Sequence, residues 1–152
     1  LLAILVEISR LIADERLEWA LSHNALAAHV PNNLRLSLDS ATPSTNRAIG
    51  RADRHSRVLS LNELAPILEF GKAMNPKLRQ KINTVVNSLN FDEYMSQIIR
   101  RLAPDKWKVL RMLPTITNEL SIVDEQFAGF VERHAALGDI ISAEDNNDMV
   151  ES

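Results

Sequence analysis

The chain has 152 residues, 45% of them apolar and 24% charged, with a formal net charge of −3. This is ordinary globular composition, with chain enough for one core. Cysteine is absent, which excludes disulfides and any thiolate-ligated metal or cluster site built by this chain.

Aromatic residues make up 5% of the chain, so Leu, Ile, Val and Ala must supply most of the burial. The four histidines, His23, His29, His55 and His134, lack metal-ligand spacing, which argues against a structural zinc site. Charge is segregated along the chain. Residues 35 to 111 hold 14 of the 17 basic and 7 of the 20 acidic residues, a balance of +7. A basic middle in an acidic chain suits a locally held anion. Aromatic residues do not interleave with the basic ones, which argues against nucleic acid.

In chain order, "LLAILV" at residues 1 to 6 is too short for a membrane span, lacks a basic lead-in and runs into Glu7 and Arg10. It reads as part of a buried strand over residues 2 to 8, and the expected location is cytoplasmic. A start on Leu1 suggests a processed or excerpted chain. "ADERLEWALSH" (13 to 23) reads as a helix with acids in its first turn. "LRLSLDS" (34 to 40) is a strand, followed by a polar stretch from Ala41 to Arg57. "SLNELAPILEFGKAM" (60 to 74) is a helix opened by a Ser60/Glu63 capping box, with Pro66 limiting its first turns. "KINTVVN" is the next strand. Asn90 and Glu93 are expected to cap "FDEYMSQIIRRLA", whose apolar stripe is Tyr94, Ile98 and Leu102. "WKVLRML" (107 to 113) is a strand stopped by Pro114. "DEQFAGFVERHAAL" (124 to 137) is a helix with Phe127, Phe130, Val131 and Leu137 on one face, and the acidic tail from Asp139 is expected to be loose at its end.

Alternating strands and helices imply a parallel sheet with right-handed crossovers. An open doubly wound sheet and part of a βα barrel both fit, and both place ligands at the carboxyl ends of the strands. Incomplete closure of a barrel exposes sheet edges, so self-association is expected.

Three strands share a pattern. Arg35, Ser37 and Asp39 alternate with Leu34, Leu36 and Leu38; Lys81, Asn83 and Asn87 oppose Ile82, Thr84 and Val86; Lys108 opposes Trp107 and Val109. A leucine face packs under helices, so the polar face must look elsewhere, because a lone lysine in an apolar interior costs several kcal/mol. A wet concave surface lined by Ser37, Lys81, Asn83 and Lys108, with an anion upon it, avoids that cost. Strand ends reaching solvent are the plainer alternative. "NRAIGR" (46 to 51) adds an arginine beyond a strand end, suited to a carboxylate. The chain offers no Ser-His-Asp order, glycine-rich phosphate loop or metal-ligand helix. No catalytic residue and no metal ligand is assigned.

Taken in order, "LSLDS", "TNRAIGR", "KINTVVNSLN", "PDKWKVLRMLP", "FVERH" and "AEDNNDM" resemble the viperin family, the radical S-adenosylmethionine nucleotide dehydratases of antiviral defence. The resemblance runs from about Leu34 to Ser152. It implies a partial radical S-adenosylmethionine (βα) barrel over residues 1–152, an α/β domain formed of the carboxyl-terminal part without the cluster-binding units. It implies that Ser37 and Arg51 contact the methionyl part of S-adenosylmethionine, and that Lys81, Asn83 and Lys108 hold a nucleoside triphosphate. The implied reaction dehydrates a triphosphate of CTP or UTP type to its 3′-deoxy-3′,4′-didehydro analogue. The family's 4Fe-4S cluster is held by a C-x3-C-x2-C loop that this sequence does not contain. Its Gly-Gly-Glu-Pro segment and Asn-Gly turn are also missing, and "NALAAHVPN" departs from the pattern. A cluster-less pseudoenzyme or non-catalytic nucleotide-binding remnant is therefore the alternative expectation.

Overall fold

The computed structural model describes residues 32–52, 58, 60–113 and 119–144. The expected strand at 2 to 8 and helix at 13 to 23 lie outside the described residues. The elements in chain order are β1 (Asn33–Ser37), α1 (Pro43–Ala48), α2 (Leu61–Met74), β2 (Arg79–Val86), α3 (Ser96–Leu102), β3 (Lys106–Arg111), α4 (Asp124–Arg133), a 3-10 helix (Ala135–Ile140) and β4 (Ile141–Glu144). The strands form one parallel sheet in the order β1-β2-β3-β4, not closed upon itself. A doubly wound sheet reverses its strand order at a switch point. The monotonic order here is that of a partial barrel.

The chain divides into two compact units, Leu1–Leu34 with Ser60–Arg79, and Arg35–Leu59 with Gln80–Ser152. In the first, α2 begins with the expected capping box. Ser60 Oγ accepts the Glu63 N–H at 3.3 Å, and Glu63 Oε2 accepts the Ser60 N–H at 2.9 Å. This satisfies two of the donors a helix start leaves open. Leu64, Ile67, Leu68 and Gly71 are buried at helical spacing along one face. Pro66 sits inside the helix without ending it. Asn75 closes the element, its N–H bonded to the Gly71 carbonyl at 3.0 Å.

In the second unit the apolar face of the sheet carries Ile82, Thr84 and Val86 from β2 and Trp107 and Val109 from β3, all fully buried. α4 covers it. Phe130 meets Trp107 edge-on, with ring centroids 6.0 Å apart, and His134 meets the same indole at 5.1 Å. Polar groups inside this layer are matched. Trp107 Nε1 donates to Thr84 Oγ1 at 2.8 Å, and Thr84 Oγ1 donates to the Leu38 carbonyl at 2.6 Å. One relay thus ties β3 to β2 and β2 to the end of β1.

His134 is fully buried. Its Nε2 accepts the Met95 N–H at 2.9 Å, so Nδ1 carries the proton and donates to the Phe130 carbonyl at 2.7 Å. Burial holds the ring neutral and its pKa below the ordinary histidine value, although the Phe130 carbonyl works the other way. Below about pH 6.5 the unfolded chain therefore takes up a proton that the folded one refuses. Stability should fall as pH drops from about 6.5 toward the folded-state pKa. Denaturant melts of the wild type and His134→Gln between pH 7.5 and 5 read this out. A slope equally steep in both proteins would clear His134 of the effect.

Several sequence expectations need correction. α3 begins at Ser96, and neither Asn90 nor Glu93 caps it. The Asn90 amide is taken up by the Asn87 N–H (2.7 Å) and by the carbonyls of Asp39 (2.6 Å) and Val85 (3.0 Å). Glu93 accepts from Ser40 Oγ at 2.6 Å and from the Ala41 N–H at 2.9 Å. Both residues fasten the loop after β2 to the end of β1. The buried stripe of α3 is accordingly Met95, Ile99 and Leu102, while Tyr94 is exposed and stacks on His134. Asn87 lies one residue beyond β2 and is fully buried; its Oδ1 accepts the Leu89 N–H at 2.9 Å, so it shapes a turn. Within the segment from Asp139, Ile141–Glu144 forms the strand β4; the end of the tail lies outside the described residues.

Candidate functional site

Register decides which side chains share a face. β2 and β3 run parallel with Lys81 beside Lys106 and Asn83 beside Lys108. β3 and β4 pair with Lys108 beside Ser142 and Leu110 beside Glu144. Adjacent residues in a parallel pair point to the same side. Lys81, Asn83, Lys106, Lys108, Ser142 and Glu144 therefore project from the face opposite Trp107. The Leu38 N–H donates to the Asn83 carbonyl at 2.9 Å, which in a parallel ladder sets Leu38 beside Thr84, and so Ser37 beside Asn83 and Arg35 beside Lys81.

The face is cationic. Lys81 has its pKa lowered, first by burial and then by Lys108, Lys106 and Arg35, with Glu144 acting in the opposite sense. Lys108 forms an ion pair with Glu144. Glu144 is held below the usual carboxylate range chiefly by its hydrogen bond to Lys108, against the opposing effect of burial, and further by the charges of Lys108, Lys81 and Lys106. Flanking Lys108 on either side, Asn83 Oδ1 and Ser142 Oγ are buried without a hydrogen-bond partner. Buried polar atoms are rarely left so.

At the carboxyl end of β1, Asp39 is fully buried. Its Oδ1 accepts the Val85 N–H at 2.7 Å, and its Oδ2 pairs with Arg51 Nε. Arg51 follows α1 through Gly50, which takes a positive φ of 89°, and its N–H returns to the Asn46 carbonyl at 2.8 Å. Asn46 mimics a strand partner for Ser40, accepting the Ser40 N–H at 3.0 Å and donating to the Ser40 carbonyl at 2.7 Å. The Arg51 side chain keeps 42% of its surface exposed, so guanidinium donors other than Nε remain for a ligand carboxylate.

The structure thus gathers Ser37, Lys81, Asn83 and Lys108 on one sheet face and anchors Arg51 to Asp39 beyond the end of β1. Asp39 shares the parity of Ser37 but is a buried support.

No family model matches the chain. Among curated proteins it is similar to the S-adenosylmethionine-dependent nucleotide dehydratase of Psychrobacter lutiphocae, at 40% identity over 79% of this chain and 40% of that protein. The protein of the same name from Pseudoalteromonas ulvae is 39% identical over 84% of this chain and 41% of its own length. That of Selenomonas ruminantium is 36% identical over 80% and 45%. The chain is a partial member of the viperin family. It spans about two fifths of the length of the first two of these relatives.

Three residues on the viperin-family chain's polar face escaped the sequence reading. Lys106 stands two residues before Lys108, so the period of a strand would have placed it on the same face. Ser142 and Glu144 alternate in "ISAE", a segment too short and acidic to announce a strand. Asp39 was noticed as a polar strand residue, but no local signal marks its partnership with Arg51.

Proposed function

We propose that this chain is the nucleotide-facing part of an S-adenosylmethionine-dependent nucleotide dehydratase, with a pyrimidine nucleoside triphosphate of CTP or UTP type as substrate. Lys81, Lys106 and Lys108 take the phosphates, and Asn83 fixes their register between neighbouring strands. Ser37 and Arg51 take the methionyl end of S-adenosylmethionine. The observation that carries this reading is the pairing of Asn83 with Lys108 and of Lys81 with Lys106. It concentrates three ammonium groups on one face, Lys81 and Lys108 half-buried and Lys106 exposed, which a polyanion would stabilise. The names of the curated relatives support a nucleotide substrate.

S-adenosylmethionine fits the donor set, because Arg51 is held at Nε while part of its side chain stays exposed. An iron–sulfur cluster does not fit this chain, which has no cysteine to ligate it. No step of the reaction is therefore assigned to residues 1–152. Their role in this reading is binding and orientation of the nucleotide.

Titration calorimetry with CTP, UTP, ATP and inorganic triphosphate tests the binding. Charge-assisted contacts contribute about 1.5–3 kcal/mol each. Lys81→Met and Lys108→Met should each weaken triphosphate binding by about ten- to a hundredfold. Affinity unchanged in both variants would remove the lysines from the site.

A further inference from the structure

Four cations, Arg35, Lys81, Lys106 and Lys108, stand on the face described above, and among the described residues the carboxylate of Glu144 acts on three of them, Lys108, Lys81 and Lys106. It comes from β4, where its register partner is Leu110, so it crosses diagonally back to Lys108. The carboxylate also feels Lys81 and Lys106. It therefore occupies, on Lys108, the kind of position that a phosphate oxygen would take.

We propose that Glu144 is an internal counter-ion that competes with a polyphosphate for Lys108 and so sets the strength of anion binding at this face. The inference rests on the phosphate-binding reading given above. Without a ligand, the carboxylate offsets the mutual repulsion of the lysines and holds Lys108 over the sheet. An arriving polyphosphate must either displace it from Lys108 or share the ammonium group with it, and two anions on one cation repel each other. Because Lys108 is the more buried partner and Glu144 the more exposed one, the carboxylate is the group free to swing away. Its removal leaves Lys108 facing the ligand with no competitor.

The experiment is a titration of the full chain with inorganic triphosphate at fixed, moderate salt, using wild type, Glu144→Gln and Glu144→Ala. Both variants should bind about two- to fivefold more tightly than wild type. In a Lys108→Met background, Glu144→Gln should bring a distinctly smaller gain, because the contested ammonium group is gone. Wild-type binding with no gain in either Glu144 variant would overturn the counter-ion role and leave the phosphate reading standing. Weaker binding by both would also overturn it, making Glu144 a support for Lys108. A gain of full size without Lys108 would show a diffuse charge effect in place of competition. Binding by none of the proteins would overturn the phosphate reading and this inference together. Circular dichroism of each variant confirms that folded protein is being compared.

Discussion

Trp107→Ala should lower the unfolding free energy by about 3–5 kcal/mol, the usual cost of emptying a large buried aromatic position. The indole is completely buried against Phe130 and His134, so neighbouring side chains cannot easily refill the space. It also donates to Thr84 Oγ1, which in turn donates to the Leu38 carbonyl. Trp107→Phe isolates that polar part and should cost about 1 kcal/mol for the lost hydrogen bond plus a smaller packing deficit. Urea melts of the three proteins give both numbers. A loss below about 1 kcal/mol for Trp107→Ala would mean that this layer is not the core of the unit. The effect reaches the polar face as well, because Trp107 lies between Lys106 and Lys108 on the strand. Loosening its anchor frees the two lysines to rotate away from Lys81.

Asp39→Ala should be the next most damaging change, at about 2–3 kcal/mol. The carboxylate is fully buried and meets the Val85 N–H on one oxygen and Arg51 on the other. Removing it strands a donor of β2 where the strand ends. Arg51 is part-exposed and can be rehydrated, which keeps the cost below that of breaking a wholly buried pair. Asp39→Asn keeps an acceptor for Val85 and loses the charge, so it should retain most of the stability while loosening Arg51. Thermal melts measure the first effect. The second is read as increased accessibility of Arg51 to a guanidinium-modifying reagent. If Asp39→Asn proves as costly as Asp39→Ala, the ion pair with Arg51, and not the bond to Val85, carries the stability.

The alternation of strand and helix from Leu34 onward was legible because each element carries its own local signal. β-Branched and leucine-rich runs mark β1 to β3, and Ser60 with Glu63 marks the start of α2. Period-2 spacing alone put Lys81 and Asn83 on one side of β2 and Lys108 on the side of β3 away from Trp107. Such a pattern says nothing about which residue of one strand stands beside which residue of the next. That was decided in the folded sheet, by the Trp107–Thr84–Leu38 relay and the parallel ladders, which set Asn83 beside Lys108 and Lys81 beside Lys106. The same limit explains Asn90 and Glu93, whose spacing is that of a helix cap. Their side chains found partners about fifty residues away, at Asp39, Ser40 and Ala41, and tertiary hydrogen bonds outweighed the local option. Glu144 is the clearest case. Its four-residue strand pairs only because β3 already offers an edge, and its carboxylate meets Lys108 only in consequence, so the charge balance of the polar face was fixed by long-range pairing that no local stretch of sequence encodes.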